Sequence, residues 1–138
     1  MTKFISIVPI INEDTFNIII LKVYQPLTNK FMYILPGGTV IPDELILDTC
    51  KRILHDTTGF NISSIDFSSN FLYQSPDESW SFVYATINPK PVQIPYNEYI
   101  RPVIISQDEA LKLILDPTSN FDVKTYLVLK SFMFGDGK

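Results

Sequence analysis

The chain has 138 residues, 46% of them hydrophobic and 13% aromatic, so it can bury the core of one globular domain spanning residues 1–138. Its formal net charge of −4 argues against general binding to nucleic acid or to anionic membranes, although a short RNA end held by aromatic stacking needs few charges and remains compatible with it. One cysteine and one histidine exclude an internal disulfide and a structural zinc site, and without a bilayer-length apolar run or a secretion signal we expect an intracellular, cytoplasmic protein.

The first part of the chain is predicted to form β-strands. Residues 4–11 and 16–24 are rich in β-branched and aromatic side chains, and the polar triplet 12–14 between them indicates a hairpin turn. Residues 31–35 have the pattern of a third, shorter strand. This strand leads directly into the Pro-Gly-Gly sequence at 36–38, which predicts a tight turn.

A helix is predicted over residues 43–57. Leu47, Cys50 and Leu54 recur at the spacing of one helix face, and Gly59 stands where a glycine commonly ends a helix. On the opposite face, charged side chains follow one another at intervals of four residues: Glu44, Asp48, Arg52 and Asp56.

Three further strands are predicted after this helix. They cover residues 62–73, 80–87 and 103–105. Within the second of these, Trp80, Phe82 and Tyr84 alternate with smaller side chains. One face of that strand should therefore carry a row of aromatic rings.

Two helices are predicted at the C-terminal end. Ser106 and Glu109 form a capping-box pattern before residues 110–115, and Ser119 with Asp122 suggests a second cap before residues 123–134. The order of strands, helix, strands and helices predicts an α+β sandwich with a mixed sheet.

The segment from Gly38 to Phe60 carries the most informative pattern in the chain, GTVIPDELILDTCKRILHDTTGF. It resembles the Nudix box, G-x5-E-x7-R-E-U-x-E-E-x-G-U with U apolar, and the strand and Pro-Gly-Gly turn before it resemble that family's lead-in. The resemblance implies a Nudix-type α/β/α sandwich and hydrolysis of a diphosphate linked to a nucleoside. Six fixed positions of the box are matched: Gly38, Glu44, Arg52, Leu54, Gly59 and Phe60.

Three positions depart from the box, and all three belong to its metal-binding carboxylates. The family has glutamates where this chain has Ile53, Asp56 and Thr57, which are spaced to share one helix face. A single Asp56 is expected to hold Mg²⁺ only weakly, and two-metal chemistry is not expected from this helix alone. An apolar Ile53 at a metal-facing position would repel a hydrated cation.

A second and less specific resemblance follows the box. The segment FLYQSPDE at residues 71–78 is similar to the strand and Ser-Pro-Gly turn of ADP-ribose and nucleotide-sugar pyrophosphatases. Asp77 replaces the glycine usual there. Gln25 stands where those enzymes often have an arginine, so the match is incomplete.

The candidate catalytic residues are Arg52, Asp56 and Glu98, with Asp56 as the candidate metal ligand. Glu98 precedes the 103–105 strand, where many Nudix enzymes carry a loop carboxylate that acts as a base or extra metal ligand. Asp56 and Glu98 are also compatible with ordinary surface acids, which is the more common role of such residues. Arg52 with Glu44 is compatible with a pair of solvated helix charges linked through Asp48.

The candidate ligand-binding residues are Gly37, Gly38, Glu44, Glu78 and Trp80. The backbone of the glycine turn would face a diphosphate, although a tight turn alone also requires glycine. Trp80 could stack on a nucleobase near the Pro-Asp turn or pack in the core.

Three hypotheses for function follow, in this order. The first is a Nudix-like domain with a degraded metal site that binds a nucleoside-diphosphate-type ligand or a protein partner with little or no hydrolysis. The second is a Mg²⁺-dependent pyrophosphatase of ADP-ribose or a nucleotide sugar, with Asp56, Glu98 and the Gly37 carbonyl around the ion. The third is an RNA-binding or structural subunit of a larger complex, since the degenerate Nudix domain of the pre-mRNA cleavage factor also has an apolar residue in the box.

Overall fold

The computed structural model describes residues 2–11, 17–68, 73–74, 76–90 and 97–134. Eight strands within these ranges form one mixed sheet, whose central path runs β3-β2-β1-β7-β5. The strands β4, β8 and β6 pair with β1, β2 and β7 respectively, and the β1–β7 pairing is parallel. The strands are β1 (Thr2–Ile11), β2 (Asn17–Gln25), β3 (Lys30–Ile34), β4 (Gly37–Thr39), β5 (Ile62–Ser68), β6 (Tyr73–Gln74), β7 (Glu78–Ile87) and β8 (Ile100–Ile105).

Three helices among the described residues cover the two faces of the sheet. They are α1 (Ile46–Thr58), α2 (Gln107–Leu115) and α3 (Val123–Phe134). Ile19 of β2 packs in a core with α1, whereas its neighbours Ile18 and Ile20 pack in a second core with α2 and α3. The sheet therefore separates two cores, because side chains alternate between its faces. None of the described helices combines the length and apolar character that a bilayer crossing needs.

The predicted central helix is confirmed, with α1 beginning and ending slightly later than expected. Gly59 ends it as predicted, in the left-handed conformation at φ 79°, and its N–H donates to the carbonyl of His55. The apolar stripe was wrong at one position, because Leu47 is 40% exposed. Ile53 takes its place on the buried face beside Cys50 and Leu54.

Both C-terminal helices are confirmed, and their N-terminal caps differ from each other. At α2 the predicted capping box is present: the Glu109 N–H donates to Ser106 Oγ, and the Ser106 N–H donates to the Glu109 carboxylate. At α3 the predicted cap residue was wrong. Asp122, not Ser119, accepts the hydrogen bond from the N–H of Thr125.

The remaining strand predictions are confirmed where the chain is described. Residues 62–68 form β5, and 103–105 lie inside the longer β8. The predicted turn at 12–14 and residues 69–72 of the predicted 62–73 strand lie outside the described residues. The predicted aromatic face of β7 is confirmed, since Trp80 and Phe82 belong to the core under α2 and α3 and Tyr84 packs against it.

Candidate functional site

The predicted tight turn at residues 36–38 was wrong at the two glycines, because Gly37 and Gly38 are extended and begin β4, which pairs with β1. We keep the name glycine turn for residues 36–38, where the chain passes from β3 into β4. Residues 37 and 38 pair with Ser6 and Ile5, and the Ile7 N–H donates to the carbonyl of Pro36 over 2.8 Å. A Cβ added to Gly37 would lie 2.8 Å from the carbonyl oxygen of Ile5, so only glycine fits there. The close approach of β4 to β1 thus explains the first glycine without any ligand.

Ile53 lies directly beneath the second glycine. A Cβ built on Gly38 would be 3.2 Å from Cδ1 of Ile53, and only 3% of Ile53 is exposed. The expectation that this side chain faces a cation in solvent was wrong. Its methyl groups pack with Cys50 and Leu54 because that helix face turns toward the sheet, and they fill the space between α1 and the glycine turn.

Glu44 and Arg52 contact each other directly. Arg52 donates from Nε to Glu44 Oε2 over 3.1 Å and from Nη2 to Oε1 over 3.0 Å, which is a two-pronged ion pair. The suggested link through Asp48 was wrong, because the loop before α1 folds back and brings Glu44 to the arginine. The Arg52 Nη2 also donates to the carbonyl of Thr39, tying α1 to the strand after the glycine turn.

Glu44 is further occupied by two neutral donors. The hydroxyl of Thr49 donates to Glu44 Oε1 over 2.7 Å, and the Ile41 N–H donates to the same oxygen over 3.3 Å. The hydrogen bond from Arg52, followed by that from Thr49, lowers the pKa of Glu44 to about 2. The same ion pair raises the pKa of Arg52. Sequence reasoning missed Thr49 and Thr39, since nothing in the local pattern marks either as a partner.

The C-terminal turn of α1 presents one carboxylate. The side chain of Asp56 is 66% exposed, with the ring of His55 beside it at 3.5 Å. The Thr57 hydroxyl donates to the carbonyl of Ile53 over 2.7 Å, so it is occupied within the helix. Of the three box positions expected to bind metal, only Asp56 supplies an anionic oxygen to solvent.

The two candidate acids outside the helix lie on different parts of the sheet. Glu98 is exposed just before β8, next to Asn97, whose side chain accepts hydrogen bonds from the N–H groups of Tyr99 and Ile100. Glu78 begins β7, half-buried and paired in register with Thr2. Within the described ranges, no three histidine, cysteine, aspartate or glutamate side chains are grouped to hold a metal ion.

Trp80 belongs to the core. Only 3% of it is exposed, and its indole N–H donates to the hydroxyl of Ser6 over 2.9 Å. The stacking alternative for Trp80 was therefore wrong, because core side chains cover its ring. The ammonium of Lys124 lies 5.6 Å from the ring centroid and 4.2 Å from that of Phe4.

The donors around α1 do not fit a resident magnesium ion. Mg²⁺ requires oxygen ligands in near-octahedral geometry, usually including one or two carboxylates. Glu44 is committed to Arg52, Ile53 offers no oxygen from its side chain, and Asp56 stands alone. What the site does offer is a backbone turn beside Arg52, whose side chain is 36% exposed.

The architecture is similar to that of a solved protein described as an ADP compounds hydrolase. The TM-score is 0.70 at 20% sequence identity, and the match covers 99% of this chain and 75% of that chain. No family model matches the sequence, and no curated protein matches it either. At this identity the similarity establishes the fold alone, and the predicted α+β class with a mixed sheet is confirmed.

Proposed function

We propose that this chain is a Nudix-fold domain that binds a nucleoside-diphosphate-type ligand with little or no hydrolysis. The observation that carries the proposal is the position of Ile53. It fills the space between α1 and the glycine turn where the box has a glutamate, leaving Asp56 as the one carboxylate among the three box positions expected to bind metal. Cleavage by metal-bound water requires cations held by several oxygens, and this face cannot supply them.

Binding has a separate basis in the same region. The glycine turn leads to Thr39, whose carbonyl accepts a hydrogen bond from Arg52 Nη2, so the turn lies beside a guanidinium group that suits a phosphate. The direct Glu44–Arg52 pair limits how far this cation can turn toward a ligand. We therefore expect the diphosphate to be held by the turn and by the exposed edge of Arg52.

Calorimetric titration with MgCl₂ tests the degraded metal site. The expected result is no saturable heat, or a dissociation constant of about 1 mM or weaker, because a single exposed carboxylate holds Mg²⁺ poorly. Asp56→Asn is the matched control, since it keeps the side-chain volume and removes the charge. Micromolar binding that disappears in Asp56→Asn would overturn the proposal and favour the pyrophosphatase hypothesis.

Turnover and binding are measured separately on ADP-ribose and a nucleotide-sugar panel with Mg²⁺ present. We expect calorimetric binding of at least one compound and no product above the protein-free rate. Hydrolysis that Asp56→Ala or Glu98→Gln abolishes would establish the enzyme instead. Neither binding nor hydrolysis would reject the diphosphate ligand and leave the partner-binding subunit, which co-purification would then identify.

The engineering test restores two of the box carboxylates, first singly and then together. Thr57→Glu places a carboxylate at a half-buried position and should leave the fold intact. Ile53→Glu puts a carboxylate among apolar side chains, so its folding must be checked by thermal unfolding before its activity is interpreted. Hydrolysis gained by the folded double variant would show that the scaffold still positions a diphosphate.

A further inference from the structure

A second surface combines aromatic rings and cations on the sheet face that α2 and α3 cover. On β2, Lys22 and Tyr24 follow Ile20 at two-residue steps, so all three point to that face. Strand pairing places Arg101 of β8 beside Lys22 and Phe31 of β3 beside Tyr24. Cross-strand partners project from the same side of a sheet, so the Lys22–Arg101 pair and the Tyr24–Phe31 pair lie next to each other.

Three aromatic side chains lie side by side on this surface, and we call them the aromatic row: Tyr24, Phe31 and Tyr99. The Tyr24 and Tyr99 rings are nearly parallel, with centroids 6.2 Å apart, and the Tyr24 and Phe31 centroids are 5.4 Å apart. The Tyr24 N–H donates to the Tyr99 carbonyl, and its hydroxyl donates to the Asn29 side chain, so both ends of this residue are fixed. Phe31 is 47% exposed and Tyr99 46%, which leaves ring surface open to solvent.

Two cations lie next to the aromatic row. The Lys22 ammonium is 4.4 Å from the centroid of Phe31, which keeps the charge close to the rings. Arg101 is exposed beside it. Among the described residues neither cation forms an ion pair within 4 Å, so their charge is available to a ligand.

A groove lies next to this surface, and Lys22 and Tyr33 are among the residues that line it. Its volume is about 440 Å³, within the range of small-molecule sites. Glu109 and Asp116 also line the groove, and both carboxylates accept hydrogen bonds at the ends of α2. Their negative charge disfavours a phosphate deep in the groove, so a phosphate belongs at the Lys22 and Arg101 side.

We propose that the aromatic row, with Lys22 and Arg101, binds a nucleobase that carries a phosphate group. Every base has a π-face that stacks on exposed aromatic rings, and Arg101 can donate two parallel hydrogen bonds to a phosphate. Stacking needs few charges, so the net charge of −4 does not oppose it. The surface lies on the face opposite α1, so the proposal does not depend on the diphosphate site.

The probes are a fluorescein-labelled single-stranded uridine tetramer, followed by fluorescence anisotropy, and unlabelled AMP as competitor. We expect saturable binding of the tetramer with a dissociation constant of about 1–100 µM. If AMP displaces it at a similar concentration, the occupant is a free nucleotide. If the tetramer binds at least about tenfold more tightly than AMP, the occupant is an oligonucleotide end. Either result supports the binding of a nucleobase that carries a phosphate group.

Substitutions locate the binding. Phe31→Ala and Tyr99→Ala should each weaken it at least about fivefold, because each removes a stacking surface. Arg101→Ala should reduce the slope of log affinity against log salt concentration by about 0.7, the value for one phosphate contact on a single strand. Phe134→Ala and Lys130→Ala, at exposed positions on α3, are the matched controls and should change neither quantity.

Three results would contradict binding at the aromatic row. No saturable signal with either probe up to about 1 mM, roughly ten times the weakest dissociation constant expected, would overturn the proposal. So would binding that Phe31→Ala and Tyr99→Ala leave unchanged, or that Phe134→Ala weakens equally. Thermal unfolding of each variant accompanies the titrations, so a loss of binding in a folded protein is distinguished from a loss of structure.

Discussion

Replacing Ile53 by alanine tests whether this side chain is packed between α1 and the glycine turn. The side chain is 3% exposed and packs under Gly38. Alanine removes three carbons, and at about 0.8 kcal/mol per buried methylene their transfer to water costs about 2.5 kcal/mol. The cavity adds to this cost, so we expect the free energy of unfolding to fall by about 3–4 kcal/mol.

Ile46→Ala is the matched control, because it makes the same chemical change on the same helix. Ile46 is 43% exposed at the first residue of α1, so its loss should cost less than about 1 kcal/mol. Urea unfolding monitored by the fluorescence of buried Trp80 measures both values. Equal losses for the two variants would refute the reasoning, because they would mean that Ile53 is not packed between α1 and the sheet.

Three other predictions concern the same region. Gly37→Ala should lower the free energy of unfolding by about 1–3 kcal/mol, since its Cβ would meet the Ile5 carbonyl oxygen. Gly38→Ala should lower it less, because the new Cβ meets only the Ile53 side chain, which can move. Urea unfolding compares the two variants, and the reverse order would contradict these contacts. The lowered pKa of Glu44 means that its contribution to stability is complete above about pH 4.5 and is lost as the pH falls toward about 2. Glu44→Gln should therefore flatten the dependence of the melting temperature on pH in that window, and an unchanged dependence would contradict the ion pair. Burial raises the pKa of Cys50 to about 11, so a thiol reagent at pH 8 should react with the native protein far more slowly than with the urea-unfolded chain, and equal rates would place the thiol at the surface.

Much of the fold could be predicted from local patterns. The capping box at Ser106, the helix stop at Gly59 and the aromatic face of β7 depend on residues a few positions apart, and all three are confirmed. The order of strands and helices and the resemblance of the box both implied an α+β fold with a mixed sheet, and the structural similarity supports that fold. These features could be predicted because neighbouring residues in the chain determine them.

The candidate site was less predictable. The orientation of Ile53 and the burial of Trp80 depend on how α1 and the sheet pack, and both side chains lie in the core instead of facing a ligand. The partner of Arg52 depends on the loop that folds back before α1. Whether Asp56 and Glu98 take part in chemistry stays a prediction that Asp56→Ala and Glu98→Gln test, and the ligand-binding role of Glu78 also stays a prediction.

The sequence alone determined which carboxylates the box keeps, because that is a matter of residue identity at a given spacing. Only the tertiary structure decided which side chains share a surface. Tyr24, Phe31 and Tyr99 come from three separate segments, and the register of β2 with β3, together with the hydrogen bond from Tyr24 to Tyr99, brings them side by side. The pairing of β2 with β8 joins segments that are far apart in the chain, so the local pattern of neither segment specifies which side chains meet.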